Sequence, residues 1–453
     1  MSAADRIPVL VGAGQVKEQV PDDPRKASSY VDLAAKAVER AIADTGVEQL
    51  AAHLDAVAAV RTFEDTMPGT ELAFNGPRNL PRSVAKRISA DPDLAIYEKL
   101  GGQSPQRLVN EFAERCHLGE CGVALLFGVE VIANVRAARR AGLELDWSEP
   151  DPGEFTDRGG VEIRKLMTPD LIRHGLLSPM QGYGLMETAR RADVGMSPTG
   201  YAREMGELFA PFSRVAAENP LAWFPQALSP EDIITPGERN PMLASPYTLN
   251  LVAKDGVNQS AALILTTAGR ARSLGIPETN WIYQQGYAET EELDLLQRPC
   301  LGRSPALEQA LSGALDAAGR EASEIGYFDL YSCFPIVVLE AREALGISAN
   351  DPRTLTQTGG LPYFGGPGNN YSMHAIASLV QTLRGDPGSH GLVYANGGFM
   401  SKHAVGVYSA DAPAEWQPCD SAELQKIVDE QQRVQTVSSP AGAGRIESWV
   451  VSY

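Results

Sequence analysis

Cysteine is scarce in this chain: Cys116, Cys121, Cys300, Cys333 and Cys419 make five, an odd number with no C-x-x-C spacing. That excludes a disulfide framework and a cysteine-built zinc site, and it suits a reducing, cytoplasmic setting. Positive charge is also in deficit. Against 57 Asp and Glu stand 39 Lys and Arg, a net charge of -18, and no Lys/Arg-rich run offsets it locally, so a nucleic-acid backbone or an anionic membrane surface would be repelled. Long apolar runs are missing: nothing approaches the ~20 residues that span a bilayer, and Met1–Val11 lacks the apolar stretch of a signal peptide. Low-complexity blocks are absent too. What remains is 453 residues, 43% hydrophobic and 21% charged. Such a chain is too long for one ordinary core, and two packed units with smaller decorations are expected.

The opening Ile7-Pro-Val-Leu-Val-Gly-Ala-Gly reads as a buried strand leaving through a glycine turn, and Ser29 to Thr45 has helical apolar spacing with Asp32 near its start. A strand is predicted near Leu54–Val60, then a long Pro/Gly/Asn-rich loop from Met67 to Pro81. A helix follows Gly101-Gly102-Gln103-Ser104-Pro105 and runs to about His117; Gly122–Phe127 reads as a central strand with Glu130 just beyond it. From about 137 to 241 the pattern turns polar, Pro-rich and aromatic, which predicts an insertion of helices and loops carrying Tyr183, Phe209, Phe212, Trp223 and Phe224. Alternation returns with a strand at Asn258–Thr267, a helix at Arg303–Ala318, a strand at Tyr327–Tyr331 and a helix at Phe334–Leu345. The Gly-rich run Gly359 to Tyr371 precedes a helix from about Ser372 to Leu383 and a strand Gly391–Ala395 ending in Asn396-Gly397-Gly398.

Strand, Gly-containing turn, helix and strand thus recur at about 98–131 and 354–398, a repeat of pattern rather than of letters. The expected fold is α/β with two similar halves, 1–270 (including the insertion) and 271–410, and a C-terminal extension over 411–453. The last piece, Arg445 to Tyr453, alternates like a strand; it either pairs with the main body or belongs to a small domain.

Four blocks carry a family likeness in their joint order: Gly101–Glu130, Asn219-Pro220 through Asp255-Gly256, Asp329-Leu-Tyr-Ser-Cys-Phe334, and Gly359–Gly398. Over residues 6–410 the chain resembles the thiolase superfamily, most of all the sterol-carrier-protein thiolases and the bacterial thiolase-like proteins labelled acetyl-CoA acetyltransferases. The resemblance implies a thiolase fold, an acyl-CoA or CoA ligand in lipid metabolism, no covalently held cofactor, and as partners a second copy (a homodimer) or a small OB-fold protein. It also implies where the chemistry would sit. The family's nucleophilic cysteine stands at a strand-to-helix turn, which here puts Gly102 (or Gly101) at that position. The Gly-His-Pro histidine falls on Gly366, the oxyanion position on Tyr331, and the second cysteine on Ala395 or a neighbour. All four positions depart from the pattern, so thiolase chemistry through an acyl-enzyme is not expected.

Replacement groups come from the same blocks. Cys333, directly after a strand, is a nucleophile if exposed and acidified, and otherwise core packing. His374 and His403 each follow a Gly-rich turn and are candidate general bases or loop-pinning hydrogen-bonders; Tyr331 is a phenolic donor. Gln103 resembles the glutamine of decarboxylating relatives, one position out of register. Gly365, Gly366, Gly368, Gly397 and Gly398 are candidates to present backbone N–H groups to a thioester, with Asn369, Asn370 and Asn396 as amide donors or helix caps. The reading is an acyl-CoA-binding protein of acyltransferase type without the usual Cys/His residues. Its alternatives are an enzyme of changed thioester chemistry, by hydrolysis, decarboxylation or retro-aldol cleavage, and a non-catalytic partner subunit.

Overall fold

The computed structural model describes residues 2–67, 69–150, 153–160, 168–437 and 439–453. The first half runs β1 (Pro8–Lys17), α1 (Tyr30–Asp44), β2 (Ala56–Ala59), α2 (Leu80–Arg87), β3 (Leu94–Tyr97), α3 (Ser104–Leu118) and β4 (Val123–Val131). The stretch read as an insertion follows as α4 (Ile132–Arg140), β5 (Thr156–Asp157), α5 (Pro169–Arg173), α6 (Pro179–Asp193), α7 (Pro198–Glu218) and α8 (Pro230–Ile234), then the short pair β6 (Met242–Ala244) and β7 (Tyr247–Thr248). After β8 (Asn258–Thr267) and α9 (Ala268–Ser273), the second half runs β9 (Ile282–Glu291), α10 (Pro305–Ala318), β10 (Ile325–Leu330), α11 (Pro335–Ala344), α12 (Tyr371–Gly385), β11 (His390–Gly397) and β12 (Lys402–Ser409), with α13 (Ser421–Asp429) in the extension.

Duplication shows in the pairing. In the first half β1 is antiparallel to β8, β8 antiparallel to β4, and β4 parallel to β2; in the second, β9, β12, β11 and β10 repeat those three relations in that order. Among the described residues the two half-sheets are paired at Val9↔Tyr283 and Leu10↔Ile282, which makes the ten strands formally one sheet. Helices α3 and α12 touch strands of both halves, whereas α1 packs on the first half and α10 on the second. The result is a layered body, helix–sheet–helix–sheet–helix, with the two middle helices covered on both sides.

Local chemistry explains the seating of the outer helices. Ser29 and Asp32 form a reciprocal capping box at the start of α1. Its Ala-rich face then lies directly on β1, because a Cβ at Gly14 would come within 2.5 Å of the Ala41 nitrogen. The second half uses the same device at Gly286, where a Cβ would lie 2.7 Å from the Ala317 carbonyl carbon in α10.

Several expectations are corrected. Glu130 lies inside β4, not beyond it. The strand expected to open the repeat at about 354–398 does not form; Leu355 accepts one hydrogen bond from Leu330 N–H (2.9 Å) and the stretch stays irregular. Strands β9 and β12 have no counterpart among the expected elements. Of the two fates left open for the tail, it pairs with the body: Ser245 N–H donates to Val451 O (2.7 Å) and Tyr453 N–H to Leu243 O (3.1 Å), alongside β6. Among the described residues no helix is long and apolar enough to cross a membrane, and no cluster of His, Cys, Asp or Glu could hold a metal ion.

Candidate functional site

The turn Gly101–Gly102–Gln103 delivers the chain into α3 in the middle layer, where β10 and β11 end and α12 begins. Ser372 of α12 donates its hydroxyl hydrogen to the Gly102 carbonyl (3.1 Å). Tyr331 follows β10, its N–H held by Tyr394 O (3.1 Å), and its ring stands edge-on to Tyr371 (5.5 Å, 87°). A Cβ at Gly102 would collide with the Tyr331 hydroxyl and come within 2.6 Å of its ring carbon Cζ and 2.5 Å of Asn396 O. The space that a side chain at Gly102 would need is therefore filled by a phenol and a backbone carbonyl. Gly366 differs: a Cβ there would lie 3.3 Å from Lys254 O and 3.5 Å from the Ala253 Cβ, a tight but nearly open position.

Cys333 and Asn396 do converge, and a third residue joins them. Asn396 donates Nδ2–H to the Tyr183 hydroxyl (2.8 Å) and, at 3.7 Å, toward Cys333 Sγ. Tyr183, reaching in from α6, donates to Gly398 O (2.7 Å), accepts from Met400 N–H (3.1 Å) and stacks on Phe334 (4.2 Å, 16°). Burial pushes the Cys333 thiol up to about 12, the opposite of what a nucleophile requires. In the sequence Tyr183 is one of several aromatics of the insertion, and nothing in its local pattern signals this polar anchoring. Among the described residues, two buried oxygens here, Asn396 Oδ1 and Gln103 Oε1, have no hydrogen-bond partner, and Gln103 folds back so that its amide oxygen occupies the space a Cβ of Gly397 would need.

Neither candidate histidine is free. His374 on α12 is buried with Nδ1 2.8 Å from Gln15 Oε1; since the Gln15 amide nitrogen donates to Ser378 (3.1 Å), Nδ1 carries the proton. His403 sits between Tyr394 (Nδ1, 2.9 Å) and Ser304 (Nε2, 3.1 Å). The Ser304 hydroxyl is committed to Glu292 Oε2 (2.9 Å), so Nε2 donates to Ser304 and Nδ1 accepts from Tyr394. Burial lowers both imidazoles to about 3 and holds them neutral; these contacts pin α12 to β1 and β12 to the start of α10.

Two of the five proposed glycine donors are spent inside the loop. Gly366 N–H donates to Lys254 O (2.8 Å) and Gly368 N–H to Gly366 O (2.8 Å). Gly365 lies against Gln259, Gly368 against the buried Glu130, and Gly398 O is taken by Tyr183. Asn369 donates to Arg61 O (2.9 Å). Asn370 stands at the N-cap of α12 without capping it: its side-chain oxygen and nitrogen are buried against Gly128 and find no partner among the described residues.

Tyr331 is the exception. Its hydroxyl makes no hydrogen bond among the described residues, and burial beside Cys333 keeps it protonated. Removing that oxygen leaves no partner unsatisfied, so Tyr331→Phe is expected to change stability by less than about 0.5 kcal/mol in a denaturant titration; a loss above about 1.5 kcal/mol would reveal a bonded hydroxyl.

No family model matches the chain. Among solved structures, it is similar to a monomeric SCP2-thiolase-like protein type 1 from Mycobacterium smegmatis, at 40% identity and a TM-score of 0.84 over 99% of this chain and 87% of that one. An Ltp2–ChsH2(DUF35) aldolase shares the fold, at 20% identity and a TM-score of 0.64 over 90% of this chain and 99% of that one. Among characterised sequences, "Acetyl-CoA acetyltransferase 1" of Arabidopsis thaliana is 32% identical over 162 residues, 33% of this chain, and the match spans only 36% of that relative's length. With the duplicated half-sheets and the buried middle helices, these similarities settle the kinship: the chain belongs to the thiolase superfamily, among the SCP2-thiolase-like proteins.

Proposed function

We propose that this protein binds an acyl-CoA or CoA itself and has lost ordinary thiolase catalysis, remaining an acyltransferase-type scaffold by descent. The observation that carries the reading is the filled slot at Gly102: the turn that would hold a reactive sulfur is occupied by the Tyr331 phenol and the Asn396 carbonyl. The missing imidazole at Gly366 and the raised Cys333 thiol support it. A net charge of -18 does not oppose a CoA ligand, because local cations and N–H groups act at shorter range than the screened global field. β5, lying parallel along the outer edge of β3, supports a monomer over a homodimer built on that edge.

One observation favours a second reading, an enzyme of changed thioester chemistry: the unpartnered Tyr331 hydroxyl is a ready hydrogen-bond donor at the old nucleophile position. Calorimetric titration with CoA and acetyl-CoA, beside a free-thiol assay, separates the two. Saturable binding with no thiol release beyond one equivalent per chain is expected. Multiple turnovers that vanish in Tyr331→Phe would establish the second reading, and no heat with either ligand would defeat both.

A further inference from the structure

Through its backbone, Lys254 borders Gly366, the residue that the family resemblance aligns with a histidine. Its backbone is stitched to the loop there: Gly366 N–H donates to Lys254 O (2.8 Å) and Lys254 N–H to Leu361 O (3.3 Å). Its ammonium donates to Asn250 Oδ1 (2.9 Å) and lies 5.1 Å from the Phe224 ring centroid and 5.6 Å from that of Tyr363. Among the described residues no carboxylate comes within ion-pair distance of it. The adjacent Asp255 is engaged through both oxygens by Arg136 (3.0 and 2.8 Å), whereas the exposed Lys36 and Lys426 are paired with Glu18 and Glu423. A half-buried amine without an acid to balance it is easier to deprotonate, and although the ring contacts favour the ammonium, burial brings Lys254 down to about 8.

We propose that Lys254 is an acyl acceptor, taking the acyl group of a bound acyl-CoA onto its side-chain nitrogen. The inference rests on the acyl-CoA reading above. The lone pair of the neutral amine forms an N–C bond at the thioester carbonyl. The C–S bond breaks with its electron pair on sulfur, and the thiolate receives the proton shed by nitrogen, so the products are an Nε-acyl-lysine and free CoA with no oxidant or reductant. With the proton that the ammonium first yields to solvent, acylation removes one positive charge from the aromatic slot, and it occurs once per chain, which is why at most one equivalent of thiol is expected.

The full chain is incubated with acetyl-CoA between pH 7 and 9 and its peptides are read by mass spectrometry, with CoA binding measured separately by calorimetry. Acetylation at Lys254 is expected to run at least about tenfold faster than at the exposed Lys26, Lys86 and Lys426, and excess CoA should suppress it. Its rate should rise roughly tenfold from pH 7 to 9 and level off above pH 8, whereas a lysine of ordinary pKa, ~10.4, climbs about a hundredfold without a plateau. Lys254→Arg should lose the modification; Lys254→Met, similar in length, tests the same loss where the guanidinium does not fit. Binding of CoA without preferential labelling of Lys254, or labelling that excess CoA fails to suppress, overturns the acyl-acceptor role alone. Absence of CoA binding overturns the reading beneath it.

Discussion

Gly102→Cys is expected to destabilise the protein by at least about 3 kcal/mol and to yield no acyl-enzyme. The new Cβ would collide with the Tyr331 hydroxyl and sit 2.5 Å from the Asn396 carbonyl oxygen, and overpacking a filled core costs ~1–3 kcal/mol even where side chains can yield. Here one obstacle is backbone in β11, held by its ladder to β12, and it cannot rotate away. Adding Tyr331→Ala removes the phenol but not that carbonyl, so the double variant should stay less stable than Tyr331→Ala alone. Chemistry would still be missing: with Gly at 366, and His374 and His403 locked in neutral hydrogen bonds, no imidazole is free to deprotonate the thiol. Thermal melts and intact-mass measurement after acetyl-CoA treatment check both halves. A Gly102→Cys protein as stable as wild type, carrying a thioester on the introduced sulfur, would mean that the turn keeps the old geometry.

The legible parts of the sequence were those where one physical rule acts alone. α1 announces itself by its capping box and Ala-rich apolar face, α3 by Pro105 after a glycine turn, and the first part of β4 by the apolar run Val123–Phe127. β9, Ile-Tyr-Gln-Gln-Gly-Tyr-Ala-Glu-Thr-Glu, was illegible because its polar side chains are buried rather than solvated. Gln284 donates to Asn110 of α3 (2.8 Å), Asn110 donates to Glu289 (2.9 Å), and Tyr287 bonds Glu114. A helix covered by sheets on both sides needs such partners for its own polar residues, and alternation cannot reveal a pairing that is completed across the core.

Of the candidate site, the glycines at 102 and 366 could be read directly, but not that Tyr331 fills the space beside Gly102 while the space beside Gly366 stays nearly open. His374 and His403 carried no mark separating a base from a structural pin. Only their partners decide it: Gln15 stands 359 residues from His374, and Tyr394 and Ser304 stand 9 and 99 residues from His403. Lys254 went unremarked for the opposite reason, since an isolated lysine becomes chemically unusual only when the surrounding acids prove to be engaged elsewhere.

Glu187 of α6 should show the second large effect, and it ties the insertion to the second half. Its carboxyl is fully buried, with Oε1 accepting from Tyr201 (2.6 Å) and Oε2 from Tyr247 (2.7 Å) and from Ile336 N–H at the start of α11 (3.1 Å). Glu187→Ala strands these donors and opens a cavity, and a loss of about 4 kcal/mol is expected. Burial raises the carboxyl from 4.5 to about 7, so between those pH values the folded chain holds a proton that the unfolded chain has released. The protonated form thus contributes stability below pH 4.5 that is lost as pH rises through 7, about 3 kcal/mol for this group. Glu187→Gln, which cannot ionise, should forfeit some hydrogen-bond energy but lose less stability than wild type between pH 5 and pH 8. Denaturant titrations of both proteins at the two pH values measure that difference directly. Equal pH dependence would mean that the three donors keep Glu187 ionised throughout, and that its link to Ile336 is a charged one.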